Sequence, residues 1–442
     1  MFTNRFVSKL PLRAYYSTST KYAHLSARKQ SFIPTSGTYP AGFNATGIHC
    51  GVKKKPEIKD LALILSDRPC SAAAVFTTNA FQAAPVLVSR EVLQKKNGEN
   101  VFGVVTNSGC ANAVTGANGL ENAKRMSKAV DAFTGVEQSS LVMSTGVIGQ
   151  QLPIEKIEKG VTAAHSTLGN SHQSWMDAAE AFMTTDTFPK LLSGKFSLSS
   201  GSEYTMAGIT KGAGMIHPNM ATLLGFVVTD VNIDAPLLKK ALQHAIDRSF
   251  NSISVDGDMS TNDTIAVLAN GANNAPKIVD ETSQDYIDFR SKLTDFAAEL
   301  AQLVVHDGEG ATKFVTINVK GASTFESAKK AASHISTSML VKTALFGQDA
   351  NWGRICASLG HSGIEVDPSK VSVAFVPADG SPKLDLMISG EPENVNEERA
   401  AEILKMEDLN IEVDLSLGKE SAKFWTCDLS YEYVSINADY RS

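Results

Sequence analysis

The stretch Lys211-Gly-Ala-Gly-Met-Ile-His-Pro-Asn-Met-Ala-Thr222, followed by Leu-Leu-Gly-Phe-Val-Val-Thr-Asp, concentrates residues able to do chemistry. It reads as a glycine-rich turn with a proline, then two small residues, then an apolar strand. A turn that holds the Ala221 carbonyl against the Thr222 hydroxyl permits an N-to-O acyl shift, and hydrolysis then frees the Thr222 amine. An α-amine with a pKa of about 7.7–8.0 is partly neutral near that pH and can take the proton of its own hydroxyl, so one residue supplies both nucleophile and base. Residue type alone does not select Thr222, because most threonines at strand edges are structural. The Lys-Gly-Ala-Gly run lacks the spacing of a phosphate loop, and the chain has no Gly-x-Ser-x-Gly elbow.

Other candidates carry weaker chemistry. Cys110 invites a cysteine-nucleophile reading, but a small buried residue is the better assignment. Asp256, Asp258 and Asp263 superficially resemble a calcium loop, yet position twelve counted from Asp256 is Val267 where a glutamate is required, so no metal is assigned. The five cysteines, Cys50, Cys70, Cys110, Cys356 and Cys427, are odd in number, widely spaced and without a Cys-x-x-Cys pair. That usage indicates free thiols in a reducing compartment and argues against a zinc site.

The elements that must position these residues alternate in kind. Glycine-punctuated apolar runs at the start (GFNATGIHCGV, DLALIL, SAAAVFT, APVLVS, VFGVVTNSG) read as strands. Three- and four-residue apolar spacing predicts helices over 119–133, 153–168 and 172–183, with Pro153 suited to a first turn. Strands return in FSLSS, YTMAGITKG and TLLGFVVTD. Past Thr222, helices are predicted over 237–250, 285–305 and 325–340, with strands TIAVLA, KFVTINV, VSVAFV and IEVDLSL among them. The ending FWTCDLSYEYVSINADY alternates as a strand does. The whole reads as α+β or layered α/β with mixed sheets, without repeats or a low-complexity linker.

Charge is unevenly placed. Residues 1–56 hold no acid and nine of the 41 basic residues, leaving 32 bases against 47 acids, a net of −15, in the remainder. Nucleic acid is therefore an improbable partner. Residues 1–30, basic and hydroxyl-rich without a continuous apolar core, have the composition of a mitochondrial transit peptide, which points to the matrix. No run approaches the roughly 18 apolar residues of a membrane span. With 43% hydrophobic and 20% charged residues, the 442-residue chain has ordinary globular composition and length enough for a large core.

KGAGMIHPNMAT closely resembles the autoprocessing motif of the ornithine acetyltransferases, the glutamate N-acetyltransferase family of arginine biosynthesis. Six further segments look like family signatures in family order: Asn107-Ser-Gly-Cys-Ala-Asn-Ala, Ser144-Thr-Gly-Val-Ile-Gly, Met183-Thr-Thr-Asp-Thr-Phe-Pro-Lys190, Asp307-Gly-Glu-Gly-Ala-Thr-Lys313, Gly347-Gln-Asp-Ala-Asn-Trp-Gly-Arg354 and Ile436-Asn-Ala-Asp-Tyr-Arg-Ser442. The resemblance spans the chain from about residue 35 to its end.

The resemblance implies an N-terminal-nucleophile-type autoprocessed fold, cut between Ala221 and Thr222. The products are an α chain of 31–221, once residues 1–30 are removed, and a β chain of 222–442, assembled as α2β2. It implies acetyl transfer from N2-acetyl-L-ornithine to L-glutamate through an acetyl ester on Thr222. Thr145 and Gly146 form the oxyanion hole, and Thr184, Lys211, Thr222, Glu309, Asn437 and Ser442 bind substrate. Thr185, beside Thr184, is an alternative for that position. The family commonly ends in threonine where this chain has Ser442, which keeps the hydroxyl and loses a methyl contact. His217 occupies a variable motif position and is given no catalytic role. No cofactor is implied; in the bifunctional branch acetyl-CoA is a second acetyl donor. The rival readings are an amidohydrolase or aminopeptidase with the same threonine chemistry, and an uncut binding protein.

Overall fold

The computed structural model describes residues 20–217 and 223–439. Two mixed sheets carry it. The first contains β1 (Phe43–Ile48), β2 (Leu61–Phe76), β3 (Val101–Cys110), β4 (Ser140–Val147), β5 (Lys190–Ser197), β6 (Glu203–Lys211), β7 (Leu224–Thr229) and, after the two-residue β8 (Ile253–Ser254) that belongs to the second sheet, β9 (Thr264–Ala269). The second adds β10 (Phe314–Ala322), β11 (Ser372–Pro377), β12 (Leu384–Ile388), β13 (Glu391–Pro392), β14 (Asp408–Asp414) and β15 (Glu420–Cys427). The strand orders are β4-β3-β2-β9-β7-β6-β5, with β1 beside β2, and β13-β12-β11-β14-β10-β15-β8.

Burial explains why the two sheets read differently in the sequence. Every residue of β7 and β9 is buried. Phe226 and Val228 enter one core, against helix His172–Phe182, while Val227 enters another, against helices Ala235–Asp247 and Gln284–His306. A strand covered on both faces is a continuous apolar run. In β14 only Leu409, Ile411 and Val413 are buried, in strict alternation, because one face packs and the other is wetter. The second core also takes in Phe314, Trp425 and Cys427 from the second sheet, so one apolar interior joins the sheets.

The α+β, layered arrangement with mixed sheets is thus as expected, with local corrections. DLALIL and SAAAVFT are one strand, β2, whose pairing slips between Leu65 and Cys70: its first half pairs with β1 and β3, its second with β9. APVLVS is not a strand but the start of helix Ala84–Lys95. Its β-branched residues suggest a strand, yet Pro85 sits in the first turn and Val88 and Val92 share the buried face four residues apart. The terminal run is a strand only to Cys427; Tyr431–Asp439 is a helix. The helix predicted over 325–340 ends at Thr337, where Ser338 caps a separate helix, Met339–Phe346, by accepting from the Val341 N–H. Helices Trp352–Gly360 and Glu397–Leu404 were not anticipated.

Strands β6 and β7 form an antiparallel pair, Lys211 opposite Leu224, so residues 212–223 are the connection of a hairpin within a fully built sheet. The Ala221–Thr222 bond lies in that connection, outside the described residues.

Candidate active site

A cavity of about 370 Å³ opens where this hairpin connection meets the ends of β4 and β6. Its wall includes Thr145, Gly146, Thr184, Thr185, Lys211 and Asn437, with Leu223 as the residue next to the expected nucleophile. Its volume lies in the range of small-molecule sites, about 300–1,000 Å³.

Gly146 can only be glycine here. Its φ is +125°, and a Cβ would stand 2.4 Å from the Gly109 carbonyl carbon and 2.7 Å from the Cys110 nitrogen. The close approach arises at an irregularity in the parallel β3–β4 pairing at Gly109–Cys110. Asn107 holds it, donating from Nδ2 to the Cys110 carbonyl (2.9 Å) and accepting at Oδ1 from the Ser144 hydroxyl (2.7 Å). The NSGC segment therefore shapes backbone beneath Gly146. Cys110 itself is 3% exposed and absent from the cavity wall, with burial pushing its thiol up, which fits the structural assignment.

Lys211 ends β6 and projects its Nζ between two hydroxyls, donating to Thr145 Oγ1 (3.2 Å) and Thr184 Oγ1 (3.1 Å). Burial pushes the Lys211 ammonium down from its ordinary range, opposed chiefly by Asp186. Between the two expected alternatives, Thr184 makes the contact with Lys211, although Thr185 also lines the cavity.

Behind Lys211 runs a buried chain of alternating charge. Asp186 accepts from the Thr184 N–H (2.9 Å), the Gly212 N–H (2.7 Å) and Lys190 Nζ (2.6 Å). Lys190, 1% exposed, also donates to Asp307 Oδ2 (2.7 Å). Asp307 in turn accepts from the Thr187 N–H (2.8 Å), the Thr187 hydroxyl and Lys29 Nζ (3.0 Å). A buried charge is tolerable only when paired and hydrogen-bonded, and here each one is. Although buried, Asp186 is held well below the usual carboxylate range by Lys190 and Lys211. Nothing local marks this chain beyond the Asp186/Lys190 spacing of four.

Glu309 lies behind the wall. Its N–H donates to the Ala213 carbonyl (2.8 Å), its carboxylate fills the space a Gly214 side chain would need, and Asn437 Nδ2 donates to its Oε2 (2.8 Å). Asp256, set aside with the calcium reading, pins the hairpin connection: its two carboxylate oxygens accept from the Met215 N–H (2.6 Å) and the Ile216 N–H (2.8 Å), and the Tyr433 hydroxyl donates to it (3.3 Å). Asn262 ties the lead into β9 to β4 by donating to the Ser144 carbonyl (2.8 Å) and the Ala111 carbonyl (2.6 Å). Neither role was visible in the sequence. Asp263, also in the wall, is 1% exposed, and its Oδ2 has no hydrogen-bond partner among the described residues; burial pushes its carboxyl well up.

The site therefore brings together Thr145, Gly146, Thr184, Lys211 and Asn437, with Glu309 one layer back. Ala221, Thr222 and Ser442 lie outside the described residues. Among the described residues, no group of three or more His, Cys, Asp or Glu is placed to hold a metal ion.

Donors converging on a partly open cavity at strand ends define a small-molecule enzyme. The ArgJ family matches residues 44–442. Over 452 aligned positions the chain is 55% identical to the mitochondrial arginine biosynthesis bifunctional protein ArgJ of Sordaria macrospora, covering 99% of this chain and 96% of that one. The protein of the same name from Neurospora crassa is 54% identical at the same coverage. Among solved structures, an arginine biosynthesis bifunctional protein ArgJ chain from Bacillus halodurans is 40% identical, covering 49% of this chain and 98% of that one, with a TM-score of 0.46. The chain belongs to the ArgJ family.

Proposed function

We propose that this chain cuts itself between Ala221 and Thr222 and that Thr222 then passes acetyl groups between amino acids. It is an acyltransferase of arginine biosynthesis, transferring acetyl from N2-acetyl-L-ornithine to L-glutamate. The Thr222 hydroxyl attacks the amide carbonyl while its own amine takes the proton. The C–N bond then breaks as that proton passes to the leaving nitrogen, ornithine departs, and an acetyl ester remains on Thr222. The glutamate amine attacks the ester, which restores the hydroxyl and releases N-acetylglutamate.

The observation that carries this reading is the position of Lys211 Nζ between the Thr145 and Thr184 hydroxyls. A lysine ammonium can only donate, so it occupies a lone pair on each oxygen and leaves each hydroxyl proton free to turn into the cavity. Thr145 becomes a donor aimed where charge develops, beside the Gly146 N–H, and such a donor is typically worth about 2.7–4 kcal/mol. Lys211 is the cation for the substrate α-carboxylate. Glu309, reached past Asn437, serves the ornithine ammonium, and Ser442 completes the substrate contacts. No cofactor takes part. Acetyl-CoA is a second donor, in keeping with the relatives' bifunctional name.

The pieces before and after the cut stay together as an α2β2 assembly in the mitochondrial matrix. N-terminal sequencing of the fragment that ends at Ser442 tests the cut and should read TLLGFVV. Labelled acetylornithine, supplied with and without glutamate, tests the transfer: labelled acetylglutamate is expected, and free acetate as the dominant product would make the enzyme a hydrolase. Thr222→Ala should abolish both cutting and transfer.

A further inference from the structure

We infer that Lys29 is a positioning residue of the acyl-transfer site, and that the segment Tyr22–Ile33 stays with the mature enzyme to hold it there. The inference rests on the function proposed above, and it concerns residues ahead of the family-matched region, which begins at residue 44. Composition places the end of the targeting segment near residue 30, yet part of that stretch is built into the body.

Tyr22 is 8% exposed and donates to Glu180 Oε1 (2.9 Å). Ser26 caps helix Ala27–Ser31 by accepting from the Lys29 N–H. Arg28 pairs with Glu407 (2.8 Å) and with Asp408. The Phe32 ring stacks on Phe188 (5.8 Å) and on His306 (4.4 Å), whose other face meets Phe314 (3.9 Å). The partners lie on both sides of the proposed cut: Glu180 and Phe188 before it, His306, Glu407 and Asp408 after it. A leader destined for removal has no reason to fill both.

Lys29 connects this strap to the chemistry. Its Nζ donates to Asp307 Oδ1 (3.0 Å) and to Thr187 Oγ1 (3.1 Å), at one end of the series Lys29, Asp307, Lys190, Asp186, Lys211. Asp307 uses Lys29 and Lys190 as its two cations. Without Lys29, Asp307 depends wholly on Lys190, so Lys190 neutralises Asp186 less, and Asp186 acts more strongly on Lys211. Removing a positive charge from the series acts in the same direction. Both effects favour the charged form of Lys211. The other charged groups facing Lys211 are Asp263, Glu309 and Lys53, the last pushed down to about 8 by burial, and none of them contacts Lys29.

Kinetics of the full chain expressed with its leader test this. Lys211 is depressed in the native enzyme, so KM for acetylornithine rises as alkaline pH discharges it. In Lys29→Met that limb should move to higher pH by roughly a few tenths of a unit, the scale of a partly screened charge acting through intermediates. Lys29→Arg should restore the native limb. A purely structural role would lower the melting temperature without moving the limb. Native transfer with an unmoved limb in Lys29→Met overturns the inference and leaves the proposed function standing; absence of transfer in the native enzyme overturns the function itself. The N-terminus of the fragment that ends at Ala221, isolated from mitochondria, is the second measurement. A start at or upstream of Lys29 is expected, and a start downstream of it overturns the inference.

Discussion

Asn437, on the last helix, donates a 2.8 Å hydrogen bond to Glu309 across 128 residues of chain. Helix Tyr431–Asp439 is latched a second time by Tyr433 on Asp256, the residue that also pins the hairpin connection at Met215 and Ile216. The C-terminal helix therefore contributes Asn437 to the cavity wall, and its position depends on the same acid that pins the approach to the proposed cut.

Asn437→Ala should raise KM for acetylornithine by up to about tenfold, because it frees the Glu309 carboxylate that Asn437 holds behind the cavity wall, and a binding loss of about 1.4 kcal/mol is tenfold. The two fragments should still form, since Asn437 has no part in the cut. Steady-state kinetics beside a denaturing gel check both statements.

Gly146→Ala should strike the chemical step. The new Cβ meets backbone at 2.4 Å, so the Gly146 N–H must move. Loss of one oxyanion donor is expected to reduce kcat by about 10²–10³-fold, with a smaller effect on KM. A kcat within twofold of the native enzyme would remove Gly146 from the oxyanion hole.

Asp186→Asn should be among the most destabilising single changes. It leaves Lys190 with only Asp307 and leaves Lys211 without its strongest opposite charge; breaking a buried pair typically costs about 3–5 kcal/mol. Asp186 has a depressed folded pKa, so its native contribution is complete above the ordinary carboxylate range and is lost as pH falls through the folded value. Urea unfolding at pH 7 and pH 3 should show a smaller gap between variant and native enzyme at the lower pH.

Asp263→Asn should have the opposite sign. Burial raises the Asp263 pKa, so ionisation is easier in the unfolded chain, and the native fold is penalised increasingly as pH rises above about 4 until the folded pKa is passed. The amide removes that penalty. The variant should match the native enzyme near pH 4 and be the more stable at pH 7; a stability deficit at pH 7 would show that Asp263 has a partner worth more than its desolvation costs.

The legible parts of the site were those encoded locally. Lys211, Thr145-Gly146 and Thr184 each sit in a short motif, and the structure places all of them on one cavity. What stayed hidden depends on contacts between distant residues. Lys190 and Asp307 are 117 positions apart, and nothing near Lys190 marks it as buried rather than as a solvated surface cation. In the sequence Asp256 stands out only as a failed calcium ligand, since its work is to accept two backbone N–H groups some forty residues away. Fold errors had the same origin. Val86, Val88 and Val92 favour strands by type, and only the layer they pack against makes Ala84–Lys95 a helix.

The hairpin of β6 and β7 gives the proposed cut a consequence for the life of the molecule. The two strands are neighbours deep in one sheet, so a single chain finds their pairing by closing a short loop, which is cheap in entropy and fast. Once that loop is severed, the same pairing joins two separate polypeptides. Recovery from denaturant should then slow with dilution in the cut enzyme and stay independent of concentration in uncut Thr222→Ala. Synthesis as one chain thus acts as an internal assembly aid that the protein discards after use, leaving an enzyme that persists by slow unfolding rather than by ready return.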